Sequence, residues 1–282
     1  MEIKYIVDTE SMPVKDFLKL KGCSRTLLTK VRVKDCLYIN GEKKKNYEIV
    51  HKGDQITISI EEKLNPDFQL NFSKIDILFE DDYFLIVNKP NTISSQPSRK
   101  HQYDNLISMV AAYFKTTNIT TNIHLVNRLD FSTSGVVVIA KHGYIHNEMS
   151  KINITKKYLC RVKGKLKDKI GTIHLPIKRI SEQDIRREVA LDGAIATTDY
   201  KVLTEKEEYS LLEVSLRTGR THQIRVHMSY IGHPLIGDLL YGEKDDFLYL
   251  HCYNMKFIHP ITKKEINIVK YPEWVEEDIC QI

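Results

Sequence analysis

The sequence predicts an α+β protein in which a large, mainly antiparallel sheet follows a small N-terminal module of two helices and a short sheet. Three observations lead there. From residue 75 onward, short strand-like runs outnumber helical patterns and do not alternate with them. Before residue 61 the order is reversed, with two helical runs followed by one alternating strand. Between the two regions, residues 61–74 are polar, contain Pro66 and lack a period, which reads as a linker. At 282 residues the chain has room for one large domain and a small one.

Taken in order, Val14, Phe17 and Leu18 stand at helical spacing. Ser24 then sits where its hydroxyl caps a second helix through Leu27, Leu28 and Val31. Leu37-Tyr38-Ile39 leads into the turn signal Asn40-Gly41, and after Lys52-Gly53-Asp54 the residues Ile56, Ile58 and Ile60 alternate with polar neighbours as in a half-buried strand. The predicted module covers 13–62, the linker 63–74 and the large domain 75–275. In the large domain, strands are expected at Ile75–Phe79, Phe84–Val87, Val136–Ala140, Tyr158–Val162 and Leu211–Leu216. Helices are expected through Leu106, Met109, Val110, Tyr113 and Phe114, and from Thr221 toward Ile231, stopping at Gly232. Gly164 and Gly171 read as turns, and Trp274 as a packing residue.

Composition narrows the function classes. With 42% apolar and 28% charged residues this is the balance of a globular protein. No apolar run approaches the ~18 residues of a membrane span, and Met1–Glu10 has no apolar core of a secretory signal, so a cytoplasmic protein is expected. Cys23, Cys36, Cys160, Cys252 and Cys280 are scattered, a spacing that suits neither a zinc site nor a disulfide framework. The net charge of +5 is unevenly spread. Residues 15–52 hold eleven basic side chains against four acidic ones. Such a concentration attracts a polyanion, and a merely solvated lysine-rich face explains it about as well. Lys43-Lys44-Lys45 reads as a solvated turn.

The chemistry is concentrated in three stretches. In His124–Lys141, Asn127-Arg128-Leu129-Asp130 and Ser132-Thr133-Ser134-Gly135 precede an apolar strand, a setting in which a rigid strand holds polar loop residues. The second stretch is Lys156-Lys157-Tyr158 through Gly164. The third is Thr218-Gly219-Arg220-Thr221-His222-Gln223-Ile224-Arg225-Val226-His227, continued by Gly232-His233-Pro234-Leu235-Ile236-Gly237-Asp238. His222 and His227 are five apart and lack a completing carboxylate, so no metal site is expected. Thr218-Gly219-Arg220 is too short for a phosphate-binding loop, so no nucleotide cofactor is expected either.

Together these stretches, in this order, resemble the RluA-type RNA pseudouridine synthases over roughly residues 75–270. The first matches the family's R-L-D-x-x-[TS]-S-G, the second its K-x-Y-x-x-x-V-x-G with either Lys156 or Lys157 as the lysine, and the third its T-G-R-x-H-Q-[IL]-R-x-H. The N-terminal pattern is similar to the αL-type (S4-like) RNA-binding domain first seen in a small-subunit ribosomal protein.

The resemblance implies an enzyme that isomerises uridine in structured RNA without a cofactor. Asp130 is then the catalytic nucleophile, Arg225 the group that holds it ionised and in place, and Tyr158 the residue that stacks on the freed base or accepts its C5 proton. Arg128 is implied to help open the RNA around the flipped base. Asn127, Arg220, His222 and Gln223 are implied to contact RNA, as are Lys21, Arg25, Lys30 and Arg32 of the basic module. Asn127 stands where the family usually has His. The expected partner is RNA, that of the large ribosomal subunit first and transfer RNA second, with a monomer as the default. A non-catalytic RNA chaperone on the same scaffold would not need Asp130, Tyr158 and Arg225 together. A glycosidase would need a second catalytic carboxylate; along the chain none is nearer to Asp130 than Asp104 or Glu148, so folding would have to supply it.

Overall fold

The first module is built around a four-stranded antiparallel sheet. Its elements are β1 (Glu2–Ile6), β2 (Met12–Pro13), α1 (Val14–Leu20), α2 (Arg25–Val33), β3 (Leu37–Ile39), β4 (Glu42–Lys43), β5 (Ile49–Val50) and β6 (Gln55–Ser59) in this computed structural model, which describes residues 1–99 and 101–276. The sheet order is β1-β6-β3-β4, with β2 and β5 paired separately. Ile56 and Ile58 face inward as their alternation predicts, against Val14, Phe17 and Leu18 of α1 and Leu27 and Val31 of α2. The Ser24 hydroxyl accepts from the Leu27 amide and caps α2. Asn40 and Gly41 both take positive φ, which is how an Asn-Gly pair turns a tight hairpin. The predicted start at residue 13 is too late. Strand β1 pairs along β6 from Glu2↔Ser59 to Ile6↔Gln55, with Ile3 buried and Tyr5 packed on the same core.

Residues 61–74 form no helix or strand, as expected, yet they are not a slack tether. Leu64, Phe68 and Leu70 pack on the core of the large domain, and the Leu64 and Asn71 amides donate to the Thr120 and Ser108 carbonyls. Glu62 clasps the two parts together. Its side chain is 7% exposed; it accepts from Lys30 Nζ at 2.8 Å and the Gly143 amide at 3.0 Å, and lies 3.1 Å from His124 Nε2. Burial pushes this carboxyl up, but the three partners outweigh it and hold it down at about 2.

The large domain comprises β7 (Asp76–Glu80), β8 (Phe84–Lys89), α3 (Leu106–Thr116), β9 (His124–Leu125), β10 (Ser134–Ala140), α4 (Gly143–Met149), β11 (Thr155–Lys163), β12 (Ile170–His174), β13 (Ile177–Arg179), β14 (Arg187–Val189), β15 (Thr197–Glu205), β16 (Tyr209–Leu216), α5 (Gln223–Tyr230), β17 (Leu250–Ile258) and β18 (Glu265–Val269). Its main sheet runs β12-β15-β16-β11-β17-β10-β8-β7, with β18 on β17 and β9 on β10. All of these pairings are antiparallel except β10 with β17, which touch only at Ser134↔His251 and Gly135↔Cys252. Phe84–Val87 and Val136–Ala140 are fully buried at the centre, under Leu106, Val110, Ala111 and Phe114 of α3. The β10–β17 contact depends on Gly135. It has φ +118°, and a Cβ there would lie 2.3 Å from the Cys252 carbonyl oxygen.

One turn assignment is corrected. Gly164 turns the chain with φ +71°, but Gly171 lies inside β12, where the Tyr200 ring fills the space that a side chain would take. Trp274 packs beside Leu159 and Tyr253 as expected, and its ring faces the Arg161 guanidinium. No helix among the described residues is long and apolar enough to cross a membrane. Cys23, Cys36, Cys160 and Cys252 are free thiols, and Cys280 lies outside the described residues.

Candidate active site

The loop between β9 and β10 is held from three sides. Asn127 is buried and brackets β10: its Nδ2 donates to the Val136 carbonyl and its Oδ1 accepts from the Val138 amide. The Ser95 hydroxyl donates to the Leu129 carbonyl and accepts from the Leu129 amide. Lys89, fully buried at the end of β8, donates to the carbonyls of Pro90, Ile93 and Phe131 at 2.7, 2.8 and 3.1 Å. Burial draws this amine down to about 7, against the pull of the Asp130 charge. Three carbonyl acceptors match the three N–H bonds of an ammonium, so the geometry fits the charged form. The Asp130 carboxylate, 30% exposed, is thereby fixed in the wall of a cleft of about 910 Å³.

Facing it stands the start of α5. Arg225 approaches Asp130 with Nη1 3.7 Å from Oδ2. Its tighter partner is Asp238, which accepts Nε at 2.8 Å and Nη2 at 2.6 Å in a buried two-pronged bond. Burial opposes the Arg225 charge, but Asp238 and then Asp130 raise its pKa. His222 takes the left-handed conformation, φ +58°, just before α5, an uncommon backbone state for a non-glycine residue at a site. Its Nδ1 is 2.9 Å from the Tyr241 hydroxyl and its Nε2 3.9 Å from Asp130 Oδ2. Burial lowers its pKa despite Asp130, which leaves a neutral imidazole at pH 7.

Tyr158 and Lys156 line the same cleft from β11. Tyr158 is 7% exposed, and burial, with the Cys252 thiol beside it, pushes its hydroxyl well above the usual range. The phenol therefore keeps its proton at neutral pH. Lys157 points away and pairs with Glu213 at 3.0 Å, so Lys156 is the lysine that accompanies Tyr158. Burial lowers the pKa of the Lys156 amine as well.

The remaining expected contacts divide. Arg128 and Arg220 are exposed on the cleft lining. Gln223 is buried, accepts from the Arg220 amide and the Thr218 hydroxyl, and donates to Thr197 O and Thr198 Oγ1. Its polar atoms are spent inside the protein, as are those of Asn127 on β10, so both side chains shape the site from behind it. In the module, Arg25 and Arg32 are exposed. Lys21 pairs with Asp8 at 2.7 Å, and Lys30 is engaged in the Glu62 clasp. Lys89, Asp238 and Ser95 received no role in the sequence reading. A visible signal for the first was a Lys-Pro pair just after the apolar run Phe84–Val87. Among the described residues no three His, Cys, Asp or Glu side chains gather as a metal set.

Residues 83–230 match the family model described as RNA pseudouridylate synthase. The chain belongs to that family. The matched span contains Asp130, Tyr158 and Arg225 and stops short of the N-terminal module. Over 264 residues the chain is 35% identical to the RNA pseudouridine synthase YjbO of Bacillus subtilis, covering 90% of this chain and 93% of that one. It is 33% identical over 268 residues to the ribosomal large subunit pseudouridine synthase D of Buchnera aphidicola, covering 86% and 84%. The solved structure of human RNA pseudouridylate synthase domain containing 1 superposes with a TM-score of 0.60 at 24% identity, over 72% of this chain and 85% of that one, and shows a shared fold. The pseudouridine synthase family accounts for the α+β architecture and for an RNA substrate, and the chain is an enzyme of this class.

Proposed function

We propose that this pseudouridine synthase isomerises specific uridines of large-subunit ribosomal RNA in the cytosol, with Asp130 as its nucleophile. The observation that carries the assignment is the Asp130 carboxylate, fixed in a 910 Å³ cleft opposite Arg225 and beside Tyr158. The reaction breaks N1–C1′, joins C5 to C1′, releases the C5 proton and takes up a proton at N1, so atoms balance without a redox partner. Asp130 acts on the nucleoside while Arg225, braced by Asp238, holds it charged and aimed. The Tyr158 ring stacks on the detached base while it turns. A uridine in folded RNA must leave its stack to reach this depth, at a cost of about a few kcal/mol, and Arg128 and Arg220 on the cleft lining meet the phosphates. Similarity to large-subunit enzymes supports ribosomal RNA over transfer RNA. The helix-and-sheet module with exposed Arg25 and Arg32 supports an S4-like second grip on the same RNA.

The test is tritium release from cellular RNA labelled at C5 of uracil, taken from cells that lack this protein. Wild type is expected to release tritium and Asp130→Ala to release none while binding RNA within several-fold of wild type. Equal release by the two would refute Asp130. Release from transfer RNA alone would refute the ribosomal substrate.

A further inference from the structure

The residue after Asp130 is a large apolar side chain left in the open. Phe131 is 42% exposed and lines the catalytic cleft, whereas Leu129, two positions earlier, is buried. The exposed ring is nevertheless held. Its backbone carbonyl accepts from Lys89, and the ring lies against the His101 imidazole with centroids 4.5 Å apart and planes inclined by 30°. His101 is itself braced, with Nδ1 2.6 Å from Asp104 Oδ2. It is carried by an arm that two backbone pairings close: Ser98 with His101, and Ser94 with Asp104 and Leu106. His101 does not line the cleft and Phe131 does, so the imidazole backs one side of the phenyl ring while the ring itself meets the cleft.

We propose that Phe131, backed by His101, is a stacking platform for a second nucleobase, the neighbour of the uridine delivered to Asp130. The proposal rests on the RNA-isomerising reading of the cleft. A solvated phenyl ring contributes little to the fold where it stands, but it offers a flat apolar face to any base. Asp130 and Phe131 are adjacent in the chain and both line the cleft, which sets a base on Phe131 beside the nucleotide at Asp130, and Tyr158 serves the reacting base from β11. Exposed Arg128, Arg220 and Arg99 provide the phosphate contacts that such a strand needs. Stacking on a ring face discriminates weakly between bases, so the platform holds the flanking nucleotide out of its helix without selecting its identity. That keeps the gap left by the flipped uridine from closing.

The experiment uses an oligouridylate nonamer carrying 5-iodouridine, whose photochemistry couples it to aromatic side chains stacked on the base. Affinity is read by fluorescence anisotropy, and the adduct is mapped by mass spectrometry on the full-length protein. Wild type is expected to couple at Phe131 or His101. Phe131→Leu should lose that adduct and bind roughly 5- to 150-fold more weakly, the weight of one base–aromatic stack, with an unchanged melting temperature. Phe131→Tyr should restore both, which a space-filling role would not predict. Wild-type affinity in Phe131→Leu, with adducts only elsewhere, would overturn the platform. If wild type couples at Phe131 yet releases no tritium from labelled RNA, Phe131 stands as a base-stacking site and the Asp130 chemistry it was placed beside falls.

Discussion

Replacing Asp238 by Asn separates the carboxylate that holds Arg225 from the one that Arg225 serves. Asp238 is completely buried and accepts four hydrogen bonds: from Arg225 Nη2, the Leu240 amide and the Tyr241 amide at Oδ1, and from Arg225 Nε at Oδ2. Asn has one acceptor oxygen. If it takes the crowded Oδ1 position, its NH2 faces the Arg225 Nε–H, donor against donor, and the guanidinium loses its counter-charge. The nearest remaining carboxylate is then Asp130 at 3.7 Å, and breaking a buried pair of this kind costs about 3–5 kcal/mol. Asp130→Asn leaves the Arg225–Asp238 fork intact and removes only a longer, partly exposed interaction worth less than about 1 kcal/mol. Urea unfolding should show that ordering, and tritium release should show the reverse contrast, with Asp130→Asn inactive at nearly full stability. Equal stability losses, or Asp238→Asn as stable as wild type, would refute the assignment of Asp238 as the support for Arg225.

The Glu62 clasp gives a pH signature. Its folded pKa of about 2 lies below the ordinary 4.5, so its contribution is fully present above pH 4.5 and is lost as the pH falls toward 2. The shift corresponds to about 3 kcal/mol, reduced to roughly 2 because Lys30 is partly exposed. Glu62→Gln should therefore be less stable at pH 7, and the gap to wild type in denaturant midpoints should close between about pH 4.5 and 2; a gap independent of pH would show that the charge of Glu62 does not hold the module. Gly135→Ala sets a Cβ against the Cys252 carbonyl at a φ of +118° and should cost more than about 4 kcal/mol or abolish soluble expression; a folded, active variant would mean that β10 can leave β17.

The site was legible in the sequence to the extent that its groups are close neighbours along the chain. Asp130 could be read because Arg128, Thr133, Ser134 and Gly135 flank it, and Arg225 because it sits in a ten-residue motif. The direction of side chains was not legible. Asn127 occupies a position beside Arg128 that suggests RNA contact, yet the loop turns it onto β10, and Gln223 turns inward from the same helix that aims Arg225 at the cleft. Lys89 lies 41 positions before Asp130, and only the sheet, with β8 beside β10, brings its amine under the Phe131 carbonyl. Strand β1 is short, with Ile3 and Tyr5 on the module's core, and its place is set by backbone pairing with the distant β6, which no local pattern announces.

What separates support from chemistry here is spare hydrogen-bonding capacity. Asn127, Gln223, Asp238 and Lys89 are buried polar groups with their partners inside the protein, as burial demands. The Asp130 carboxylate differs from all four. Its nearest charged neighbours stand at 3.7 and 3.9 Å, beyond ordinary hydrogen-bond reach. A carboxylate used for structure would have closed those distances. Faced by a braced guanidinium and without a side-chain hydrogen bond among the described residues, this carboxylate has its lone pairs free for the nucleoside in the proposed reaction. The proposed role of Asp130 as nucleophile requires that state.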